Sequence, residues 1–276
     1  MKRFAAATTF NDSGYTRYGK KMVESFDTYW PQCVDLYVYY EGTKPIDLFS
    51  ERIHFIDLLQ ASPDLVRFKE KYHNDPLANG KLGNSPHGIK RPNITSKHIN
   101  SESFLYDAVR FSHKVFCQIH ASTHIDTDII FCMDADTLTF NPISEQFLET
   151  ILPDKYYCSY LNREPIYTET GFLAYNTKHR YHDEFMNRYR SIYMDDLIFK
   201  LKEWHDCEAF DTVRKQMTNE QKINCYSLTK PNSGNHPFVN SILGEYMDHL
   251  KGQRKDIGRT PHNQVKNNRH IKYWSR

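Results

Sequence analysis

The chain has 276 residues, a formal net charge of +2, 14% aromatic residues and six cysteines. That length is enough to bury a full core, and so small a net charge supplies no bulk field that would drive the molecule onto nucleic acid or a membrane surface. Cys33, Cys117, Cys132, Cys158, Cys207 and Cys225 form no Cys-x-x-Cys pair, which leaves neither a zinc knuckle nor a redox motif and makes reduced, mostly buried thiols the expectation.

At the N-terminus, Met1-Lys2-Arg3 followed by Phe4-Ala5-Ala6-Ala7 imitates a secretory leader, but Asn11 and Asp12 interrupt the apolar stretch too early. No later run approaches transmembrane length, so a soluble cytoplasmic protein is expected. Phe4 to Thr9 reads as a strand, Tyr18 to Tyr29 as a helix stopped by Pro31, Val34 to Tyr40 as a second strand and Arg52 to Leu58 as a third. Residues 62–73 continue as a helix. Alternation of this kind implies a largely parallel sheet. Asn74 to Asn100, rich in Asn, Gly, Pro and Lys, reads as a long loop, functional or mobile.

An amphipathic helix follows. Leu105, Ala108, Val109, Val115, Phe116 and Ile119 recur at helical spacing, while Tyr106, Arg110, His113 and Lys114 share the other side. The next segment, Ile129-Ile130-Phe131-Cys132-Met133-Asp134-Ala135-Asp136, is an apolar run that ends in two carboxylates one residue apart. A short run with β-branched residues at its start reads as a buried strand, and the carboxyl end of such a strand is where open α/β sheets bind ligands. Two hard oxygen donors there can hold Mg²⁺ or Mn²⁺ while leaving positions open for phosphates. Asp126-Thr127-Asp128 has the same spacing but precedes the apolar run, as a solvated turn would.

Tyr156 to Leu161 and Gly171 to Asn176 are further strand candidates, separated by the polar loop Asn162 to Thr170, and Arg180 to Met194 and Asp196 to Trp204 read as helices. There is no internal repeat and no Ser-rich or Gly-rich linker, so one domain over 1–276 is expected. Lys251 to Arg276 holds eight Lys or Arg and a single acid, Asp256, which fits a solvated tail and a phosphate-contacting segment equally.

The βαβ half, the helix carrying Arg110 and Lys114, and the strand ending in Asp134-Ala135-Asp136 together resemble glycosyltransferases of the GT-A fold, which use nucleotide-diphosphate sugars. The resemblance implies an α/β, single-domain GT-A-type fold with a mostly parallel, helix-flanked central sheet. Within it, 1–140 would form a Rossmann-like nucleotide-sugar-binding half, 141–250 an acceptor-side half and 251–276 a basic C-terminal segment. It implies that Asp134 and Asp136 ligate a Mn²⁺ or Mg²⁺ that bridges the donor diphosphate, and that a C-terminal His completes the site. His249, in Asp248-His249-Leu250-Lys251-Gly252-Gln253-Arg254-Lys255, resembles that His, although its Gly follows by three residues without the usual aromatic. By the same resemblance Lys251, Arg254 and Lys255 would hold the diphosphate, Arg110 and Lys114 would reach the nucleotide or its phosphates, and Thr8 and Tyr15 would contact base and ribose.

On the acceptor side, Glu169-Thr170-Gly171-Phe172-Leu173 enters a strand with a Gly at a point of close approach. Trp204-His205-Asp206 is expected to end a helix at the position where inverting members keep a general base. Asp206 or Glu169 would then address the acceptor, a carbohydrate or other hydroxyl such as a glycan or lipopolysaccharide, with no obligatory nucleic acid. Other readings remain open at this point. A metal-dependent nucleotidyltransferase also needs paired carboxylates, but carries a Gly-rich N-terminal loop where this chain has only Gly14 and Gly19. A nucleic-acid-directed module or DNA-modifying transferase would use the basic tail. A zinc hydrolase built on His120-Ala121-Ser122-Thr123-His124 would lack its glutamate base.

Overall fold

A computed structural model describes residues 2–48, 50–91, 104–230 and 233–275. Strands β1 (Phe4–Asn11), β2 (Asp35–Glu41), β3 (Ile53–Asp57) and β4 (Ile129–Met133) run parallel. β5 (Thr137–Thr139) leaves the sheet directly after β4, and β6 (Cys158–Leu161), β7 (Glu169–Asn176) and β8 (Cys225–Ser227) extend it on the other side. The order is β3-β2-β1-β4-β7-β6-β8, with β7 antiparallel to both neighbours and β8 parallel to β6. The mostly parallel, helix-flanked α/β sheet expected from the sequence is therefore present.

Alternation along the central strands divides the core in two. Ala5, Ala7, Ile130 and Cys132 face one layer, with Val115 and Phe116 of the helix Ala108–His124, Phe185 and Tyr189 of His182–Met194, and Phe210 of Asp206–Asn219. Phe4, Ala6, Ile129, Phe131 and Met133 face the other, with Val23 and Phe26 of Lys20–Tyr29 and Leu148 of Glu145–Ile151. All five residues of β4 are buried, which explains its uninterrupted apolar sequence. Each large side chain so buried contributes about 1.5–3 kcal/mol, and this two-sided packing fixes where β4 stops. Its last residue is Met133, so Asp134 and Asp136 emerge at the carboxyl edge beside the ends of β1 and β2.

A second, two-stranded sheet completes the arrangement. β5 pairs antiparallel with β9 (Met247–His249), setting Thr137 opposite His249, and the Leu250 amide donates to the Asp136 carbonyl at 2.9 Å. This pairing brings His249 to Asp136 across more than a hundred residues of sequence.

Two expectations change. The helix expected over Asp196 to Trp204 is only a 3-10 turn at Leu197–Lys200, following Asp196 in a left-handed conformation (φ 57°). The long helix begins later, at Asp206: His205 caps it by accepting from the Glu208 amide, and Asp206 and Glu208 place negative charge in its first turn. Asp206 thus starts a helix rather than ending one. The C-terminal segment is folded back on the domain instead of trailing into solvent. Buried Asp248 accepts from the Thr260 amide and hydroxyl, both at 2.7 Å, and the Trp274 indole donates to the Gly244 carbonyl at 2.9 Å.

Of the expected loop at 74–100, residues 92–100 lie outside the described ones; its first part is knit around buried Asp75, which accepts from the amides of Leu77 and Ala78, from Ser85 and from His87. Among the described residues no helix is long and apolar enough to cross a membrane.

Candidate metal centre

Asp134 and Asp136 flank buried Ala135 at the end of β4, and His249 approaches them from β9. His249 Nε2 lies 3.2 Å from Asp134 Oδ2 and 3.1 Å from Asp136 Oδ1. Although His249 is only 1% exposed, its Nε2 lacks a properly aligned hydrogen-bond partner. Its other nitrogen is committed, since Nδ1 donates to Glu169 Oε1 at 2.8 Å. That bond leaves Nε2 facing the two carboxylates, the pattern in which an outer carboxylate orients a metal-binding imidazole.

The spacing is informative. Adjacent ligands at right angles around a cation with bonds of about 2.1 Å sit roughly 3.0 Å from each other, close to the separations seen here. Burial alone would lower the His249 pKa, but Asp136, Asp134 and Glu169 outweigh it and raise the imidazole well above its ordinary range. A proton on Nε2 and a cation in its place are alternatives between the same carboxylates. Burial likewise opposes the ionised form of Asp134 and Asp136, yet Lys114 and His249 keep the first low, and His249 and Lys255 the second. Both carboxylates are therefore ionised and available as ligands.

Gly171 makes room for this ring. A Cβ there would come within 2.6 Å of His249 Cε1, so the close approach anticipated for this glycine is to His249. Gly171→Ala should cost about 1–3 kcal/mol of stability by overpacking and displace the imidazole. A calorimetric Mn²⁺ titration of the folded variant is expected to show weakened binding, and wild-type affinity would contradict the assignment.

Two lysines complete the ring of charge. Lys114 Nζ reaches Asp134 Oδ1 at 2.5 Å, Asp206 Oδ2 at 2.7 Å and Thr170 Oγ1 at 3.1 Å, so the polar face of the helix Ala108–His124 does deliver it to the centre. Lys255 Nζ reaches Asp136 Oδ2 at 2.8 Å and stands over the Tyr18 ring at 4.7 Å. Asp206 is buried, accepts from Lys114 and Thr170, and is held low by Lys114 against the opposing effect of burial. A carboxylate so stabilised is a weak proton acceptor, which argues against the general-base role.

The remaining expected residues divide. Glu169, 2% exposed, is bonded to His249 Nδ1 and so is placed to orient the imidazole. Thr8 is 1% exposed and donates its hydroxyl to the Met133 carbonyl at 2.9 Å, tying β1 to β4. The Tyr15 hydroxyl donates to Asp47, away from the carboxylates. Arg254 is held by Gln264 Oε1 at 2.6 and 3.0 Å, while Lys251 is exposed beyond His249. Arg110 is exposed and lines a cleft of about 580 Å³ with Asn11, Asp12, Glu41, Lys69 and His113, a volume suited to a small ligand.

Tyr18 and Thr170 were not anticipated. A π-helical turn at Tyr15–Gly19 inserts an extra residue ahead of the helix Lys20–Tyr29, which rotates the faces and brings Tyr18 rather than Tyr15 beneath Lys255. Its only sequence signal is the Gly14 and Gly19 pair around it; a Cβ at Gly14 would strike the Tyr18 hydroxyl at 2.8 Å, and one at Gly19 the Phe10 ring at 2.7 Å.

No protein-family model and no curated protein sequence matches the chain. Among solved structures it is similar to mouse xyloside xylosyltransferase 1 in its apo form, with TM-score 0.46, 12% identity and coverage of 82% of this chain and 85% of that one. Galactosyltransferase LgtC, in complex with donor and acceptor sugar analogues, matches with TM-score 0.47 and 13% identity over 90% of this chain and 87% of its own. For the glycosyltransferase GlyE of Streptococcus pneumoniae the values are 0.41 and 12%, with 82% of this chain and 45% of that one covered.

Proposed function

We propose that this chain is a metal-dependent glycosyltransferase of the GT-A fold, moving a hexose from a nucleotide-diphosphate sugar, a uridine diphosphate sugar in the first instance, to a hydroxyl acceptor such as a glycan or lipopolysaccharide. One observation carries the reading: the Nε2 of His249, oriented by Glu169 and without an aligned partner, faces both carboxylates of Asp134 and Asp136 at ligand spacing. Asp134, Asp136 and His249 would hold Mn²⁺ or Mg²⁺, a set in which oxygen donors dominate and one imidazole favours Mn²⁺. Such a cation would neutralise the diphosphate and stabilise it as the leaving group.

The protein's own groups supply the rest. Lys255, on the C-terminal segment beside Asp136, is placed to contact phosphate oxygens, with exposed Lys251 near it. The cleft at the carboxyl ends of β1 and β2, lined by Asn11, Asp12 and Arg110, would receive the nucleoside. Lys114 ties Asp206 to Asp134, so the Asp206 carboxylate would be fixed next to the transferred sugar and accept from its hydroxyls. In this reading 1–140, 141–250 and 251–276 act as one cytoplasmic catalytic unit.

The test is thermal unfolding of the full chain with nucleoside diphosphates and nucleotide sugars, with and without Mn²⁺, beside Asp134→Ala. One nucleotide should raise the midpoint only with Mn²⁺, and the variant should lose that effect. At a ligand concentration a hundredfold above Kd the stabilisation is about 2.7 kcal/mol, readily seen as a shift of a few degrees for a chain of this size. No Mn²⁺-dependent shift with any nucleotide would overturn the proposal.

A further inference from the structure

Cys158 on β6 and Cys225 on β8 stand far apart in sequence, yet the parallel pairing of the two strands sets them directly opposite each other. Residues in direct register point to the same face of a sheet, and both side chains pack into the core layer that holds Phe210 and Val213 of the helix Asp206–Asn219. Adjacent strands run about 4.8 Å apart, inside the roughly 4.4–6.8 Å that a disulfide spans between Cα atoms. The two free thiols already meet through a hydrogen bond. β8 is three residues long and lies at the edge of the sheet, paired on one side only, so it can close the remaining gap between the sulfurs. Their access to solvent differs. Cys158 is 0% exposed, whereas Cys225 is half-buried and within reach of a small molecule.

We propose that Cys158 and Cys225 are a redox-active thiol pair, which a hydroperoxide converts to a disulfide bridging β6 and β8. Cys225 is the thiol that an oxidant reaches first, and Cys158 is the partner that resolves it. The hydrogen bond with Cys158 lowers the Cys225 thiol below its ordinary range; burial opposes this, while Thr218, 3.9 Å from the sulfur, and Arg214 add to the lowering. Burial, and then the same hydrogen bond, raise Cys158 well above its range, so the shared proton rests there. The thiolate is the nucleophile in such chemistry. The Cys225 sulfur attacks one peroxide oxygen, forming an S–O bond as the O–O bond breaks, and the departing oxygen takes up a proton and leaves as water or an alcohol. The Cys158 sulfur then attacks the sulfur of the Cys225 sulfenic acid. The S–S bond forms, the S–O bond breaks, and the expelled hydroxide takes the Cys158 proton and leaves as water. Two electrons pass from the thiols to the peroxide. The bridge fastens β8, and with it the far end of the helix that begins at Asp206, to the central sheet.

The test is independent of glycosyl transfer. The reduced full chain is treated with a small excess of hydrogen peroxide, the remaining thiols are alkylated under denaturing conditions, and the peptides are mapped by mass spectrometry without reductant. A peptide pair joined through Cys158 and Cys225 is expected, lighter by two hydrogen atoms than the separate peptides, and dithiothreitol should release it. Cys117 and Cys132, both buried, should be recovered as alkylated thiols. Cys158→Ser, left without a resolving sulfur, should stop at the Cys225 sulfenic acid, which dimedone traps, and then pass to the sulfinic acid. The wild-type map needs no variant, so it decides the matter whether or not Cys158→Ser folds. Oxidation confined to the exposed Cys33 or to Cys207, with Cys158 and Cys225 recovered as alkylated thiols, would overturn the proposal, as would wild-type Cys225 oxidised without a bond to Cys158.

Discussion

Replacing Asp136 by Asn is expected to lower turnover about a thousandfold while leaving the chain folded. Asn preserves the volume of a side chain that is 8% exposed and in contact with His249 and Lys255, but it removes one of the two anionic ligands. A cation that polarises a phosphoryl oxygen supplies several kcal/mol of transition-state stabilisation, and losing about 4 kcal/mol of it is roughly a thousandfold in rate. Stability should fall modestly, because the neutral amide gives up the attraction of His249 and Lys255 that outweighs burial at Asp136, and relief of the repulsion with Asp134 offsets only part of that loss. Initial rates of nucleoside diphosphate release at saturating Mn²⁺, with circular dichroism on the same samples, measure both effects. A rate within tenfold of wild type would remove Asp136 from the centre.

Glu169→Gln is expected to weaken Mn²⁺ affinity by 10–100-fold, the usual effect of disturbing the outer partner of a metal-binding imidazole. Gln keeps the length and can still accept from His249 Nδ1, now at 2.8 Å from Oε1, but its neutral amide no longer raises the basicity of the ring. The pattern of the defect separates two roles. A positioning residue gives a loss that excess Mn²⁺ restores, whereas a residue acting on the acceptor gives a lower turnover that no Mn²⁺ concentration repairs. Turnover measured across a Mn²⁺ titration reads the difference, and a deficit that persists at saturation would return Glu169 to the acceptor side.

The sequence made some of this arrangement readable and hid the rest, for physical reasons that differ by element. β4 was legible because burial on both faces demands an unbroken apolar run, and the run ends where the ligand edge begins. The polar face of the helix Ala108–His124 was legible from its period, which placed Lys114 at the centre.

His249 could be suspected only by resemblance. Its partner is set by two three-residue strands, β5 and β9, and a three-residue strand is too short to show any period. Glu169 was expected at the acceptor because polar residues near a loop suggest exposure, whereas this one is buried in a strand and bonded to His249. Asp206 was placed at the wrong end of a helix because the aromatic and apolar residues Leu197 to Trp204 imitate helical spacing, while the true start lies in the capping residue His205 and the acids after it. The tail carries charge enough to look solvated, but Asp248, Trp274 and the stacking of Tyr273 on Phe140 at 3.8 Å fold it onto the domain and bring Lys255 to Asp136.

The most direct measurement is anomalous scattering from crystals of the full chain grown with Mn²⁺ and uridine diphosphate. The account predicts a Mn²⁺ peak within about 2.6 Å of carboxylate oxygens of Asp134 and Asp136 and of His249 Nε2, with the diphosphate completing its coordination. A peak at the neighbouring His205, Asp206 and Cys207 cluster, or a bound nucleotide with no Mn²⁺ at Asp134, would contradict it.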